Sequence, residues 1–550
     1  MTLLTNDPRR LVAAGFDPFA HSLPQKLAVD GYRTAMPLLA LEDVAPQRLF
    51  VKEIDRTNVE RLGMDEPRFV WYAPYFTFGG LREPTDAHPD LGSALGAELE
   101  GDVKLDPELT VQLASELSEA VGAELPVGAS FHGPRNHYVI GRRDVSAAFA
   151  PGRSELSAAA GPFVAELDAA RIEPWLRREP EDRFALLDRL LDEAGLDALL
   201  VASPLGIQDL TGVPMKAIGG EAWAVYPRGS QVVHLLTLEE IAMADLPLAS
   251  PATVSSVREL AGGERVGFEE VALTTRAWSG FGLPGIEAVP ATELIRRWRE
   301  LRSWEDVAAT VIASRVTLEG INSALSFVEK EWGAGRRVTE LDAYERYRST
   351  VGSVIRRHGL PIRIRTYFTH CHAGDRSHFP ASAVTHEVKP SSSLKIDGGL
   401  EIYDSRGMFL GVSDITRSAV GTDETRSFYR LLDRALLEGA IAACRPGVKG
   451  ADVFSAGMSF LEPHRDQIVD GGFMPPSDAP MTELFNRNIG HLIGKQEPAT
   501  VEFRASDQGS LEAGMVAAAE IQWPYAGYCI GTEDIFLVTD EGPLNLTRST

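Results

Sequence analysis

The sequence predicts α/β N-terminal regions followed by a C-terminal α+β domain, and three observations lead to this fold class. Helical stripes and short apolar strand runs alternate between residue 181 and about residue 300. A long amphipathic pattern begins near residue 304, a second helix is predicted from about residue 339 to 357, and strand runs joined by hairpin turns follow. The 550 residues also suffice for about three to four domains at roughly 150 residues each. We therefore divide the chain into residues 1–180, 181–303 and 304–550.

Residues 1–180 have the least regular pattern, and substrate or dimer contacts are their candidate roles. An aromatic block stands among turn residues, and a helical pattern follows near residues 109–121; the block consists of Phe69, Trp71, Tyr72, Tyr75, Phe76 and Phe78. Such blocks more often form a core or a subunit interface than a ligand cage, so we predict a structural role for it.

Residues 181–303 resemble one compact α/β domain. An apolar helical stripe over residues 184–191 stops at Gly195, and a buried-strand run follows at residues 197–202. The glycines that begin at Gly280 match GxGxxG, but Pro284 interrupts them and an extended segment follows. A dinucleotide motif needs a strand before it and a helix after it, so we reject that function.

Charge and cysteine content exclude several function classes. Asp and Glu number 78 against 54 Lys and Arg, a net charge of −24 that repels nucleic acid and anionic lipid. The three cysteines have no CxxC spacing and are too few for a disulfide framework; they are Cys371, Cys444 and Cys529. With no signal peptide or apolar span in the sequence, we expect a cytoplasmic protein.

Two hairpins carry facing carboxylates. If the first hairpin has no bulge, its turn places Asp397 opposite Asp414, and the second turn places Glu520 opposite Glu533. Each pair alone is also compatible with a bulge that turns one acid to solvent. Like charges in half-buried strands need a cation or a proton. With His491 they form a ligand set for two divalent ions, Mn, Co, Fe or Zn, bridged by shared carboxylates.

The motifs IDGG, VSDITRS, GHLIG, AAAEIQW and GTEDIFLVTDEG occur in this order. This series resembles the pita-bread metallopeptidase family of methionine aminopeptidase, aminopeptidase P, prolidase and creatinase over residues 304–550. The segment LDALLVASPLGIQDLTGVP is similar to the N-terminal domain of the creatinase and prolidase branch. The resemblance implies a pita-bread domain, a homodimer, and metal ligands at Asp397, Asp414, His491, Glu520 and Glu533, of which Asp414 and Glu533 bridge both ions.

One departure from the family leaves the reaction open. Family peptidases carry a second histidine in an HExP sequence, whereas this chain reads GHLIGKQEPATVEF, with Gln496 near that place. A glutamine donates a hydrogen bond but does not shuttle a proton. The resemblance implies a dinuclear hydrolase of Xaa-Pro peptidase type, in which a metal-bridging hydroxide attacks an amide carbonyl of a short peptide. The alternatives are a lyase or C–N hydrolase acting on a small molecule, and a non-enzymatic binding module.

Other residues have predicted roles near the metals. His378 in SHFP resembles the family's substrate-contacting histidine and would stabilise developing charge, although an exposed loop histidine is the alternative. His370 and His372 either contact substrate or share one face of a strand, and Gln496 is a further candidate for substrate binding. Glu520 is the candidate proton shuttle. Arg417, in DITRS, is predicted to orient a ligand carboxylate.

Overall fold

A computed structural model provides the fold. The residues it describes are 10–14, 38–42, 48–53, 69–72, 87–98, 104–105, 110–121, 135–176, 183–214, 217–218, 222–237, 241, 252–254, 257–274, 278, 285–300, 304–360, 363–378, 383–493, 500–525 and 527–548. The second half of the aromatic block lies outside them.

The N-terminal region contains a five-stranded sheet in the order β4-β3-β2-β1-β5. Its strands are β1 (Arg10–Ala14), β2 (Leu38–Glu42), β3 (Arg48–Lys52), β4 (Phe69–Tyr72) and β5 (Lys104–Leu105). Helices α1 (Leu91–Glu98) and α2 (Val111–Val121) follow β4 and β5 in the chain. Phe69, Trp71 and Tyr72 are buried in β4, so the structural interpretation of this part of the aromatic block is confirmed.

A seven-stranded mixed sheet follows in the order β10-β6-β9-β8-β7-β11-β12. Its strands are β6 (Arg135–Gly141), β7 (Ala198–Val201), β8 (Ala222–Pro227), β9 (Val232–Thr237), β10 (Ala252–Val254), β11 (Arg265–Phe268) and β12 (Glu287–Pro290). The helices here are α3 (Arg142–Val164), α4 (Ala169–Leu176), α5 (Arg183–Glu193), α6 (Pro204–Thr211), α7 (Arg258–Ala261) and α8 (Thr292–Glu300).

The sequence pattern explains how this sheet is covered. Helix α5 buries the predicted apolar stripe, including Phe184, Leu187 and Leu191, in the core that also contains strand β7. The extended segment after the rejected glycine motif is strand β12, which pairs parallel to β11. Strand β6, from the region before residue 181, pairs with β9 and β10 in the same sheet. The domain boundaries at residues 181 and 304 stay predictions.

The C-terminal domain begins with two long helices, α9 (Trp304–Gly333) and α10 (Glu340–His358). A capping box at Thr339 fixes the start of α10. Helix α9 is buried over most of its first half and packs against a sheet ordered β13-β14-β15, in which β16 also pairs with β14. The strands are β13 (Arg363–Ala373), β14 (Ser393–Tyr403), β15 (Phe409–Val412) and β16 (Ile415–Val420).

The second half of this domain carries helices and a four-stranded sheet ordered β17-β18-β19-β20. The helices are α11 (Asp423–Arg434), with a π-helical continuation (Ala435–Ile441), α12 (Gly450–Leu461), α13 (Arg465–Asp470) and α14 (Met481–Leu484). The strands are β17 (Gly490–Leu492), β18 (Val516–Tyr525), β19 (Tyr528–Thr539) and β20 (Gly542–Asn545). The predicted combination of α/β regions with a C-terminal α+β domain is therefore confirmed.

Side-chain hydrogen bonds join the two C-terminal sheets along β16 and β19. Ser418 Oγ donates to the carbonyl of Gly531 at 3.0 Å and accepts from its N–H at 2.9 Å. These bonds bring the two carboxylate-bearing hairpins together. Among the described residues, no helix is both long and apolar enough to span a membrane.

Candidate metal centre

The first hairpin pairs two residues away from the predicted register. Asp397 lies opposite Thr416, and the direct pairing of Asp397 with Asp414 is wrong. One residue of the shift comes from the turn, in which the Asp404 N–H donates to the carbonyl oxygen of Met408, and the other comes from an irregularity between Ile402 and Tyr403. Because strand side chains alternate with a period of two, a shift of two residues keeps Asp414 on the face that Asp397 occupies.

The second hairpin has the predicted register. Glu520 on β18 lies directly opposite Glu533 on β19, so this pairing is confirmed. Glu520 is 7% exposed and Glu533 is 1% exposed. Two buried carboxylates in direct opposition destabilise the sheet unless a cation or a hydrogen-bond donor compensates them.

Strand β17 brings His491 to these hairpins. The preceding Gly490 has φ +136°, and a Cβ on it would lie 2.3 Å from the carbonyl oxygen of Ala518, so only glycine permits this close approach of β17 to β18. His491 Nδ1 lies 2.9 Å from the carbonyl oxygen of Leu492, which can only accept. Nδ1 is therefore the protonated nitrogen, and Nε2 is left as a ligand atom 3.9 Å from Asp414 Oδ2.

Asp414, His491 and Glu533 form a group suited to one metal ion. Each offers one ligand atom, and these atoms lie within 4.8 Å of one another. Atoms that bind one ion at about 2.0–2.2 Å lie at most about 4.4 Å apart, so small side-chain rotations suffice. Two carboxylates and one imidazole suit Mn, Fe, Co or Zn. The residues therefore fit a divalent ion.

Asp397 and Glu520 make different contacts. The amide nitrogen of Gln522 donates to Asp397 Oδ2 at 3.0 Å and to Glu520 Oε2 at 2.6 Å. Arg487 Nη2 lies 3.6 Å from the same Glu520 oxygen. Lys395 Nζ donates to Oε1, the side-chain amide oxygen of Gln522, at 2.5 Å. The Gln522 amide thus joins these two acids, Arg487 lies beside Glu520, and Lys395 holds the amide from its other end.

Burial and charge act together on Glu533. Burial raises the pKa of Glu533 well above its ordinary value, and the negative charges of Glu520 and Asp397 add to this effect. Thr416 Oγ1 donates to Glu533 Oε2 at 3.0 Å and partly opposes the rise. A metal ion bound beside Glu533 would favour its ionised form in the same way as any neighbouring positive charge.

Arg417 lies behind Glu533 and holds its backbone. One guanidinium nitrogen donates to the carbonyl oxygens of Thr416 and Glu533, and the other donates to Asp534 Oδ1 at 2.6 Å. Arg548 donates to the second oxygen of Asp534 at 2.7 Å. Arg417 is thus placed to orient Glu533 through the peptide backbone, and the predicted orienting role stays a prediction.

The predicted substrate residues have different outcomes. His370 lies opposite Asp397 and His372 opposite Lys395, so both histidines occupy the strand face that carries Asp397. Burial lowers the pKa of His370, which favours its neutral form. The backbone of His378 ends a 3₁₀ turn (Gly374–His378) after β13, but its side chain lies outside the described part of the structure, as does Gln496. Their roles stay predictions.

Sequence reasoning missed Lys395 and Gln522, although a signal was present. Lys395 is two residues before Asp397, and Gln522 is two residues after Glu520. The period of two along a strand places each on the face of its neighbouring acid. The same rule identifies Thr416, two residues after Asp414.

Known proteins resemble the chain in sequence family and in fold. Residues 309–540 match the model of metallopeptidase family M24. The structure is similar to the prolidase from Pyrococcus furiosus, with TM-score 0.50 and 18% identity over 66% of this chain and 99% of that chain. It is also similar to the dipeptidase from Pyrococcus horikoshii OT3, with TM-score 0.50 and 19% identity over 67% and 98% of the two chains. No curated protein sequence matches the chain.

A third similar structure comes from a protein of another kind. It is the N-terminal domain of the FACT complex subunit SPT16 from Cicer arietinum (chickpea), with TM-score 0.50 and 13% identity over 66% of this chain and 95% of that chain. At such identities these likenesses show the fold alone. That fold is the pita-bread fold with its N-terminal domain.

Proposed function

Residues 309–540 form a pita-bread domain of metallopeptidase family M24, and from this premise we propose that the protein is a metal-dependent hydrolase of Xaa-Pro peptidase type. The observation that carries the proposal is that Asp414, in the link between β15 and β16, meets His491 of β17 and Glu533 of β19 in one ligand group. The proposed substrate is a short peptide. The homodimer and the cytoplasmic location stay predictions, and light scattering of the purified protein tests the former.

The proposed chemistry divides the work among the described residues. A bound divalent ion polarises a carbonyl group and makes water a nucleophile at neutral pH. Glu520 is the proposed proton acceptor, and Gln522 and Arg487 hold its carboxylate in place. His378 is the proposed donor to the developing negative charge on the substrate.

The test measures metal content and hydrolysis in the same samples. We expect the Mn-, Co-, Fe- or Zn-loaded protein to cleave some members of a panel of Xaa-Pro dipeptides and tripeptides, and the metal-free protein to cleave none. Asp414→Asn should lower metal affinity by at least about 100-fold and abolish cleavage, because it removes a charged ligand. Glu424→Gln, an exposed carboxylate on α11, is the matched control and should change neither property. Metal-independent cleavage would contradict the proposal.

A second function is favoured by the stretch GHLIGKQEPATVEF, which lacks the second histidine of the family's peptidases. The alternative is a lyase or C–N hydrolase that acts on a small molecule at the same ion. Metal binding that depends on Asp414, without cleavage of any peptide in the panel, would support it over the peptidase.

A further inference from the structure

The orientation of the Gln522 amide is dictated by its neighbours. Lys395 is 2% exposed, and its ammonium group can only donate, so it must face the carbonyl oxygen of Gln522. The carboxylates of Asp397 and Glu520 can only accept when ionised, so they must face the amide nitrogen. A flipped amide would turn its NH₂ group toward the ammonium group of Lys395, so that donor would meet donor. It would also turn its oxygen toward the two carboxylates, so that acceptor would meet acceptor.

The amide nitrogen occupies the space between these oxygens. It lies 3.0 Å from Asp397 Oδ2, 2.6 Å from Glu520 Oε2 and 3.4 Å from Thr416 Oγ1. A divalent ion that bound Asp397 through Oδ2 would lie about 2.0–2.2 Å from that oxygen. The nitrogen and the ion therefore exclude each other from Oδ2 of Asp397 and from the space between it and Glu520 Oε2.

The opposite strand leaves room for this arrangement. Gly531 lies directly opposite Gln522, and a Cβ on it would be 2.7 Å from Thr416 Cγ2, 3.2 Å from Lys395 Cδ and 3.4 Å from Gln522 Cγ. The three side chains thus fill the space that a larger residue would take. They form a packed unit on the metal side of the sheets.

The charges near the centre also balance with one ion. The four hairpin carboxylates carry four negative charges when ionised. Lys395, which acts through Gln522, and Arg487, beside Glu520, supply two positive charges, and one divalent ion supplies the other two. A second ion would add two positive charges and a bridging hydroxide would offset one of them, so one excess positive charge would remain in a buried site, which is costly.

We propose that the chain binds one divalent ion, at Asp414, His491 and Glu533, and that the Gln522 amide fills the second metal position beside Asp397. The inference rests on the proposed metal centre and replaces the two-ion scheme that the family resemblance implies. Lys395 is a positioning residue in this arrangement, because it fixes the orientation of the amide.

The test counts metal ions and asks whether they are coupled. Apoprotein is titrated with Mn²⁺ alone, and bound metal is measured by calorimetry, by elemental analysis after gel filtration and by electron paramagnetic resonance. Wild type should bind about one ion with the spectrum of isolated Mn²⁺. Gln522→Ala should bind about two, with the exchange-coupled spectrum of a carboxylate-bridged pair. Gln508→Ala is the matched control, because Gln508 also accepts from a lysine, Lys449, but on the surface; it should bind about one.

Each outcome decides a separate question. Two coupled ions in wild type would overturn the inference and leave the proposed metal centre intact, whereas no bound metal in any form would overturn both. One ion in wild type and in Gln522→Ala alike would refute the role of Gln522. If Gln522→Ala does not fold, as judged by circular dichroism, Lys395→Met replaces it. This variant frees the amide to turn its oxygen toward the ion, so a second, weaker Mn²⁺ site is expected, and its absence would refute the role of the amide.

Discussion

Gln208 joins the seven-stranded sheet region to the first carboxylate hairpin. It is fully buried on α6, its amide nitrogen donates to the carbonyl oxygen of Phe409 at 3.0 Å, and its carbonyl oxygen accepts from the Phe409 N–H at 3.0 Å. The side chain thus pairs with both backbone groups of one residue, as a neighbouring strand would. Phe409 begins β15, which ends two residues before Asp414.

Gln208→Leu keeps the approximate side-chain volume and removes both hydrogen bonds. An unsatisfied buried backbone group costs about 1–3 kcal/mol, so the two groups of Phe409 together should lower the free energy of unfolding by about 2–6 kcal/mol. The loss should also loosen β15 and weaken metal binding at Asp414, because the hairpin register positions that carboxylate.

Urea unfolding of the metal-free protein measures the first effect, and hydrogen exchange at the Phe409 amide shows whether the loss is local. The control is Gln112→Leu, since the side chain of Gln112 is exposed and donates to the exposed Glu116, a contact that solvent can replace. It should change stability by no more than about 0.5 kcal/mol. A loss below about 1 kcal/mol in Gln208→Leu, with unchanged exchange at Phe409, would refute this account of the contact.

Three further predictions test the interior and the ion. Arg417→Met should lower the free energy of unfolding, measured in urea, by about 3 kcal/mol, because it breaks a buried ion pair with Asp534. Asp534 still has its ion pair with Arg548 in this variant. A loss no larger than that of the control Arg426→Met, whose ion pair with Asp423 is exposed, would contradict the prediction. Burial lowers the pKa of His234 to about 4, so the unfolded state binds more protons below pH 6.5 and stability falls as pH drops from 6.5 toward 4. His234 contributes at most about 3 kcal/mol to that fall because its ring is half-buried, and the fall should become smaller in His234→Leu, as measured by urea unfolding across this pH range. Part of it should remain, because burial also lowers the pKa of His137. Chelation should lower the unfolding free energy of wild type by about 2.7 kcal/mol if free metal was at 100 times its Kd, and calorimetry should find no such loss in Asp414→Asn.

The second hairpin shows what a sequence can predict about a site. Only two residues of the sequence separate the two long apolar runs, so one register satisfies the pattern, and the structure pairs Glu520 with Glu533 accordingly. The first hairpin has a longer turn. Asp404 there accepts from the N–H groups of Arg406 and Met408 in a turn one residue longer than predicted, and the irregularity between Ile402 and Tyr403 adds the second residue of the shift. Such side-chain bonds depend on the folded turn, so counting residues from its midpoint could not predict the shift.

The need for compensation of the carboxylates was predictable, but its source was not. Buried like charges need nearby positive charges or hydrogen-bond donors, and these can come from a metal ion or from protein side chains. The sequence suggested metal ions because the acids were recognisable as metal ligands. In the structure, the positive charges come from Lys395 and Arg487. Lys395 lies on β14, more than a hundred residues before Glu520, and bonds Gln522. Arg487 lies in the loop before β17, beside Glu520. Gln522 becomes informative only when Lys395 fixes its orientation, because an unheld amide could equally offer its oxygen to a metal. The number of ions at this site therefore depends on a long-range contact between two strands, and a motif of ligand residues does not determine it.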